Sequence, residues 1–200
     1  MKIVLCTSNK HKLQEIKQLL PQFEIVSLPE VFPNLPEPVE DGNTFEANAI
    51  KKVEYLNHPE MIFLADDSGL EVEALGGRPG VLSARYRGAV EKESSAALTS
   101  LDQCRLLLEE MQNKTNRRAR FVCVMALKWP DGIIETFEGV VDGQIAPSLQ
   151  GENGFGYDPI FIPEGYEDTF GALPLQVKQS ISHRVRALEL LKDRLTFQRT

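Results

Sequence analysis

The chain has 200 residues, 42% hydrophobic and 26% charged, the make-up of an ordinary soluble globular protein able to bury a substantial core. A net charge of −7 argues against a broad nucleic-acid-coating surface, while leaving room for a local basic pocket. The opening "MKIVLCTSNK" has too short an apolar run for a signal peptide, and no stretch approaches the roughly 18 apolar residues that a membrane span needs.

"KIVLCTS" reads as a buried strand, and "NKHKLQEIKQLL" as the helix that follows, with Leu13, Ile16, Leu19 and Leu20 on one face and Pro21 as its stop. "FEIVSL" is a second strand. "LPEVFPNLPEPVEDG" holds four prolines and is expected to be a surface loop. "NTFEANAIKKVEYL" is a helix with a core face of Phe45, Ala49, Val53 and Leu56, and Asn43 with Glu46 forms a candidate capping pair. "MIFLADD" is a strand, and residues 92–112 form a long amphipathic helix with a stripe of Ala97, Leu101, Cys104, Leu108 and Met111. "ARFVCVMALKW" and "GIIETFEGVVDG" flank a "PDG" turn signal and make a long antiparallel hairpin. The chain closes on the helix "SISHRVRALELLKDRL", with Ile181, Val185, Leu188 and Leu191 inward. Alternating helices and strands followed by a hairpin predict an α/β fold on an elongated, mixed β-sheet.

Cys6, Cys104 and Cys123 are odd in number, widely spaced and without a Cys-x-x-Cys, which suits reduced thiols in a cytoplasmic protein. Five stretches carry candidate chemistry. "TSNKHK" (residues 7–12) joins a strand to a helix, where free N–H groups and two lysines make an anion site; an ordinary capped helix start has the same look. In "EDGNTFEANAIKK", Glu40 precedes a helix on which Thr44, Asn48 and Lys52 share a polar face, suited to a metal and a phosphate or simply solvated. Asp66 and Asp67 end an apolar strand, where repulsion and desolvation oppose them unless a cation is near; they point to opposite sides if the strand persists, or act as turn formers before Gly69. "GENGFGYDPIF" offers close backbone approach, the rings of Phe155 and Tyr157 for a flat heterocycle, and Asp158 as acceptor. "KQSISHR" gathers the donors Lys178, His183 and Arg184 at a helix entrance.

Taken in order, these strings resemble the inosine triphosphate pyrophosphatase family, the noncanonical purine nucleoside triphosphate pyrophosphatases. "TSNKHK" matches T-G-N-x-x-K, "EDGNTFEANAIKK" matches E-x-G-x-T-F-x-x-N-A-x-x-K, and "LADDSGLEVEALGGRPGVLSARY", "GFGYDPIF" and "KQSISHR" complete the set from residue 7 to 184. The resemblance implies two lobes with a central cleft, a homodimer, and Mg2+-dependent hydrolysis of ITP, dITP or XTP to the monophosphate and pyrophosphate, within a single domain over 1–200. Carried over by position, Thr7, Ser8, Asn9, Lys10, His11, Lys12 and Lys52 would hold the triphosphate. Glu40 and Asp67 would bind the metal, Asp67 would serve as base for the attacking water, and Ser68 would contact substrate. Phe155 would stack on the purine beside Gly156, Tyr157 and Asp158, while Lys178, His183 and Arg184 would read its 6-keto edge. Two departures stand out: Ser8 occupies the place of the usual glycine, and "LPLQV" before Lys178 lacks the acidic pair of the pattern. A nucleotide sensor with the same residues and a phosphatase that releases orthophosphate are the rival readings; a nucleic-acid-binding module fits the acidic charge poorly.

Overall fold

The structure, a computed structural model, describes residues 2–7, 9–36, 38–86 and 99–197, without the side chains of residues 10, 11 and 197. The elements are β1 (Lys2–Leu5), α1 (Lys10–Leu19), β2 (Glu24–Ser27), the single turn α2 (Leu28–Val31), α3 (Phe45–Glu54), β3 (Met61–Val72), α4 (Ser100–Glu110), β4 (Arg118–Lys128), β5 (Ile134–Ile145), β6 (Phe161–Pro163), α5 (Leu175–Ile181) and α6 (His183–Phe197). Short 3-10 turns span Glu73–Leu75, Gly80–Arg85 and Asp158–Ile160.

The strands form one six-stranded sheet in the order β2-β1-β3-β4-β5-β6. β1 runs parallel to both β2 and β3, with Leu5 opposite Ser27 on one side and Leu64 on the other. β6 is antiparallel to β5, with Ile145 opposite Phe161. The short link from β4 to β5, closed by the Trp129 N–H on the Ile133 carbonyl at 2.9 Å, leaves only an antiparallel pairing. The sheet is therefore mixed, as the alternation of elements predicts.

Two compact units divide the chain: Met1–Asp67, Cys123–Gly139 and Arg184–Thr200 form the first, Ser68–Val122 and Val140–His183 the second. In the first, Ile3 and Leu5 of β1, Ile62 and Leu64 of β3 and Cys123, Met125 and Leu127 of β4 pack with Ile16 of α1, Leu20 just past its end, and Leu188 and Leu191 of α6. Val4, on the other face of β1, is also fully buried, as expected of a parallel strand covered on both sides. Each such side chain contributes about 1.5–3 kcal/mol by leaving water. The second unit has its own core, in which Leu70, Cys104, Leu107, Phe121, Val141, Phe161 and Phe170 meet. The Phe121 and Phe161 rings lie 4.6 Å apart.

Several elements depart from expectation. The cap of α3 is Thr44, extended at φ −133° and ψ 154°, whose hydroxyl accepts the Ala47 N–H at 3.1 Å. Asn43 stands one residue too early for that bond, and Glu46 instead accepts from the Thr136 hydroxyl at 2.8 Å. Of the helix expected over 92–112, residues 92–98 lie outside the described residues, Ala97 among them. The described part starts after a Thr99–Asp102 capping box, and buries Cys104, Leu107 and Met111, while Leu101 is 44% exposed. The last helix is two helices, because Ser182 is extended at φ −63° and ψ 155° between α5 and α6. Its apolar stripe divides there, Ile181 packing in the second unit's core and Leu188 and Leu191 in the first's. β3 does not end at the aspartates but runs on to Val72.

Candidate active site

In the first unit, the segment after β1 is tied by local bonds. The Thr7 hydroxyl accepts the Asn9 N–H at 3.1 Å, and Asn9 Oδ1 accepts the Lys12 N–H at 3.3 Å, so Asn9 caps α1. Ser8 lies outside the described residues. Lys10 and His11 form the first turn of α1 through their backbone. Lys12 turns its ammonium to Asp66, 2.9 Å from Oδ2, with only 15% of its side chain exposed.

Because β3 continues through the aspartates, successive side chains leave opposite faces, and the two carboxylates enter different surroundings. Asp66 is 2% exposed; Lys12 and, at 3.4 Å, Arg184 face its Oδ2. Burial alone would raise its pKa, but the Lys12 and Arg184 charges override that and hold it well below the usual carboxylate range. Arg184 also pairs with Glu15 of α1; burial works against its charge, and Asp66 and Glu15 more than compensate. Asp67 is 6% exposed. Asn48 donates to its Oδ2 at 3.1 Å, and Lys52 Nζ lies 3.2 Å from its Oδ1. Here burial dominates and raises the pKa above the ordinary value, with Lys52 and Asn48 pulling it back only in part.

Lys52 is the hub of this cluster. Its ammonium sits 2.7 Å from Glu40 Oε1 and 2.9 Å from the Asp66 carbonyl, besides its contact with Asp67. Burial would lower its pKa, and the charges of Asp67, Asp66 and Glu40 raise it instead. Two carboxylates, Glu40 and Asp67, thus converge on one cationic centre from different elements. Among the described residues no group of three or more His, Cys, Asp or Glu side chains could hold a metal. A pair of carboxylates fits magnesium, which keeps several waters and takes its other ligands from substrate phosphates.

The second unit holds the glycine- and aromatic-rich turn. Asp158 is 1% exposed; its Oδ2 accepts the Phe155 N–H at 2.7 Å and pairs with the Lys178 ammonium. Lys178 Nζ also lies 4.4 Å from the centroid of the Phe155 ring. Gly154 has φ +76°, and a Cβ there would come within 2.0 Å of Asp158 Oδ2, so glycine is required on both counts. Tyr157 is buried, and its hydroxyl bonds to the Ser83 carbonyl at 3.0 Å and Gln103 Oε1 at 3.1 Å, which anchors the turn. The Gly156 carbonyl accepts the Cys104 thiol at 3.3 Å. Ser68, the first residue of this unit, is half-buried on β3.

His183 is 5% exposed and stacks on Phe121, centroids 4.8 Å apart and planes at 12°. The donors of "KQSISHR" are therefore divided, Lys178 and His183 in the second unit and Arg184 in the first. Sequence reasoning places Asn48 on a polar helix face without a task for it, and passes over Glu15. The spacing of Thr44, Asn48 and Lys52 is a signal for Asn48; Glu15 gives none, since nothing local ties it to a residue 169 positions away.

A sequence profile described as the Ham1 family matches residues 3–194. The chain is 47% identical over 192 residues to a dITP/XTP pyrophosphatase of Desulforamulus reducens, covering 94% of this chain and 92% of that one. It is 46% identical over 201 residues to a dITP/XTP pyrophosphatase of Geobacter sulfurreducens, covering 98% of each. Among solved structures, the Staphylococcus aureus Ham1 protein superposes with a TM-score of 0.85 at 40% identity, covering 99% of this chain and 100% of the other.

Proposed function

The chain belongs to the Ham1 family, and from that premise we propose that it hydrolyses noncanonical purine nucleoside triphosphates (ITP, dITP and XTP) to the monophosphate and pyrophosphate, cleansing the nucleotide pool. The observation that carries this reading is the convergence of Glu40 and Asp67 on the Lys52 ammonium, beside a third carboxylate, Asp66, clamped by Lys12 and Arg184.

Catalysis on a triphosphate is mostly positioning and charge neutralisation. Thr7, Ser8, Asn9, Lys10, His11 and Lys12, with Lys52, hold the phosphate chain. Glu40 and Asp67 would hold Mg2+, which supplies charge neutralisation at the phosphates when bound. Asp67 takes a proton from the attacking water; burial has raised its basicity, which favours that transfer. The water oxygen bonds to the α-phosphorus and pyrophosphate departs with the electrons of the broken P–O bond. Ser68 contacts substrate beside the aspartate.

Recognition of the base belongs to the other residues. Phe155 offers its ring face, flanked by Gly156, Tyr157 and Asp158. Lys178, His183 and Arg184, the last already anchored by Asp66 and Glu15, donate toward a 6-keto oxygen. Adenine would present a donor to those donors and leave buried groups unpaired. The same reading makes the protein a cytoplasmic homodimer whose 200 residues act as one catalytic domain. No helix among the described residues is long and apolar enough to cross a membrane.

The test is product analysis with Mg2+ and, separately, dITP, XTP, ITP, ATP and GTP. The expected products are monophosphate and pyrophosphate from the first three, with little from ATP, whose 6-amino group opposes the donors, and little from GTP, which keeps the 6-keto oxygen and is refused at another position. Diphosphate and orthophosphate would replace this reading by a phosphatase, and binding without products would replace it by a sensor.

A further inference from the structure

Asn48 has no part in the mechanism above, yet it is fully buried and both ends of its amide are committed. Its Oδ1 accepts the Gly42 N–H at 2.8 Å, and its Nδ2 donates to Asp67 Oδ2 at 3.1 Å. A backbone N–H can only donate, so Gly42 fixes which end of the amide is oxygen and thereby turns the donor end toward Asp67. Lys52, four residues and about one helical turn further along α3, lies 3.2 Å from the other oxygen of Asp67. Both oxygens of that carboxylate are held, and its rotation would break one contact or the other.

The same amide reaches the second acid. Gly42 follows Glu40 by two residues, so the bond from Gly42 to Asn48 ties down the loop that carries Glu40. The approach is close: a Cβ on Gly42 would lie 2.6 Å from Asn48 Oδ1. The donor to Asp67 Oδ2 is also neutral. It orients the carboxylate without adding a second cation to the one, Lys52, that already faces Oδ1.

We propose that Asn48 is a positioning residue that holds the Asp67 carboxylate and the Glu40 loop in a fixed relation, so that the two acids meet one cation and Asp67 faces its water. The inference rests on the reading of Glu40 and Asp67 as metal ligands and Asp67 as base.

The test uses Asn48→Ala and Gly42→Ala in the full chain, with two measurements. One is Mn2+ affinity of the substrate-free protein, read from the electron paramagnetic resonance of free Mn2+. The other is the division of any loss between kcat and KM for dITP with Mg2+. Loss of such an orienting partner costs roughly 10–100-fold in metal affinity or activity. Asn48→Ala is expected to weaken Mn2+ binding and lower kcat within that range, with KM changed by no more than about threefold. Gly42→Ala, which keeps the amide but displaces its oxygen, shows the same pattern to a smaller degree. Gly42→Ala carries the test alone if Asn48→Ala does not fold. Mn2+ affinity and kcat both within about twofold of wild type, or a loss confined to KM, overturn the proposal. An inactive wild type would instead sink the underlying reading; an active wild type with equally active variants sinks the positioning role alone.

Discussion

Asp66 and Asp67 are neighbours of one residue type, and their substitution by asparagine should have opposite consequences. Asp66→Asn removes the carboxylate that Lys12 and Arg184 share, leaving the buried Arg184 and the half-buried Lys12 facing an amide; Arg184 keeps Glu15, and Lys12 loses its Asp66 ion pair. Breaking a buried pair on one side costs about 3–5 kcal/mol. For a chain of this size each kcal/mol lowers Tm by roughly 2–4 °C, so a fall of roughly 6–20 °C is expected at pH 7. Asp67→Asn leaves Lys52 its contacts with Glu40 and the Asp66 carbonyl. Burial opposes the charge of Asp67, and Lys52 retains Glu40, so this neutral isostere is expected to lower Tm by less than Asp66→Asn does. Turnover of dITP in that variant falls by roughly 10²–10⁴ with the loss of the base.

The pH dependence has a definite sign. The folded pKa of Asp66 is depressed, so its stabilisation is complete above the unfolded value near 3.9 and is lost as pH falls toward the folded one. The Tm gap between wild type and Asp66→Asn should therefore narrow below about pH 4. Melting of metal-free wild type and both variants by circular dichroism, at pH 7 and across the acid range, reads these quantities. An Asp67→Asn protein that melts as low as Asp66→Asn, or an Asp66→Asn protein as stable as wild type, would refute the division of roles.

Three further expectations use other observables. In the metal-free protein, carboxyl 13C shifts should show Asp67 titrating above, and Asp66 below, the ordinary aspartate range; the reverse order would contradict the opposed environments. Phe155→Ala removes the ring beneath Lys178, and loss of a stacking worth about 1–3 kcal/mol should raise KM for dITP roughly 5–150-fold, with kcat changed less. Gly156→Ala meets only the left-handed backbone cost of about 1–2 kcal/mol, since nothing lies within 4 Å of the added carbon. Gly154→Ala pays that and collides with Asp158 as well, so it should melt lower; equal melting points would count against the close approach.

Much of this was legible in the sequence because it is local. The period of Leu13, Ile16 and Leu20 declares α1, and the "PDG" signal declares the β4–β5 turn. The failures are also physical. A one-residue shift separates the Asn43–Glu46 pattern from the Thr44 cap that forms, and only backbone geometry decides which side chain reaches the free N–H groups. The stripe of Ile181, Val185, Leu188 and Leu191 reads as one helix, because nothing in its period marks Ser182 as extended. At the candidate site the residue types were legible and their pairing was not. Lys52 could be assigned to a polar face, but that it would bring Glu40 and Asp67 together depends on the loop returning beside β3.

The strand that carries the two acids explains how a costly dipeptide can serve two ends. Alternation sends Asp66 to Lys12 and Arg184, where strong pairing lowers its pKa and makes it a fixed anion joining β3 to α1 and α6. It sends Asp67 toward a single lysine, a neutral amide and a partly exposed Glu40, where burial prevails and the carboxylate stays basic. A turn at Asp66 would have put both side chains in one environment, with repulsion between them. Extending β3 to Val72 is thus what separates an anchoring acid from a more basic one, and the chemistry proposed for Asp67 depends on the strand running past it.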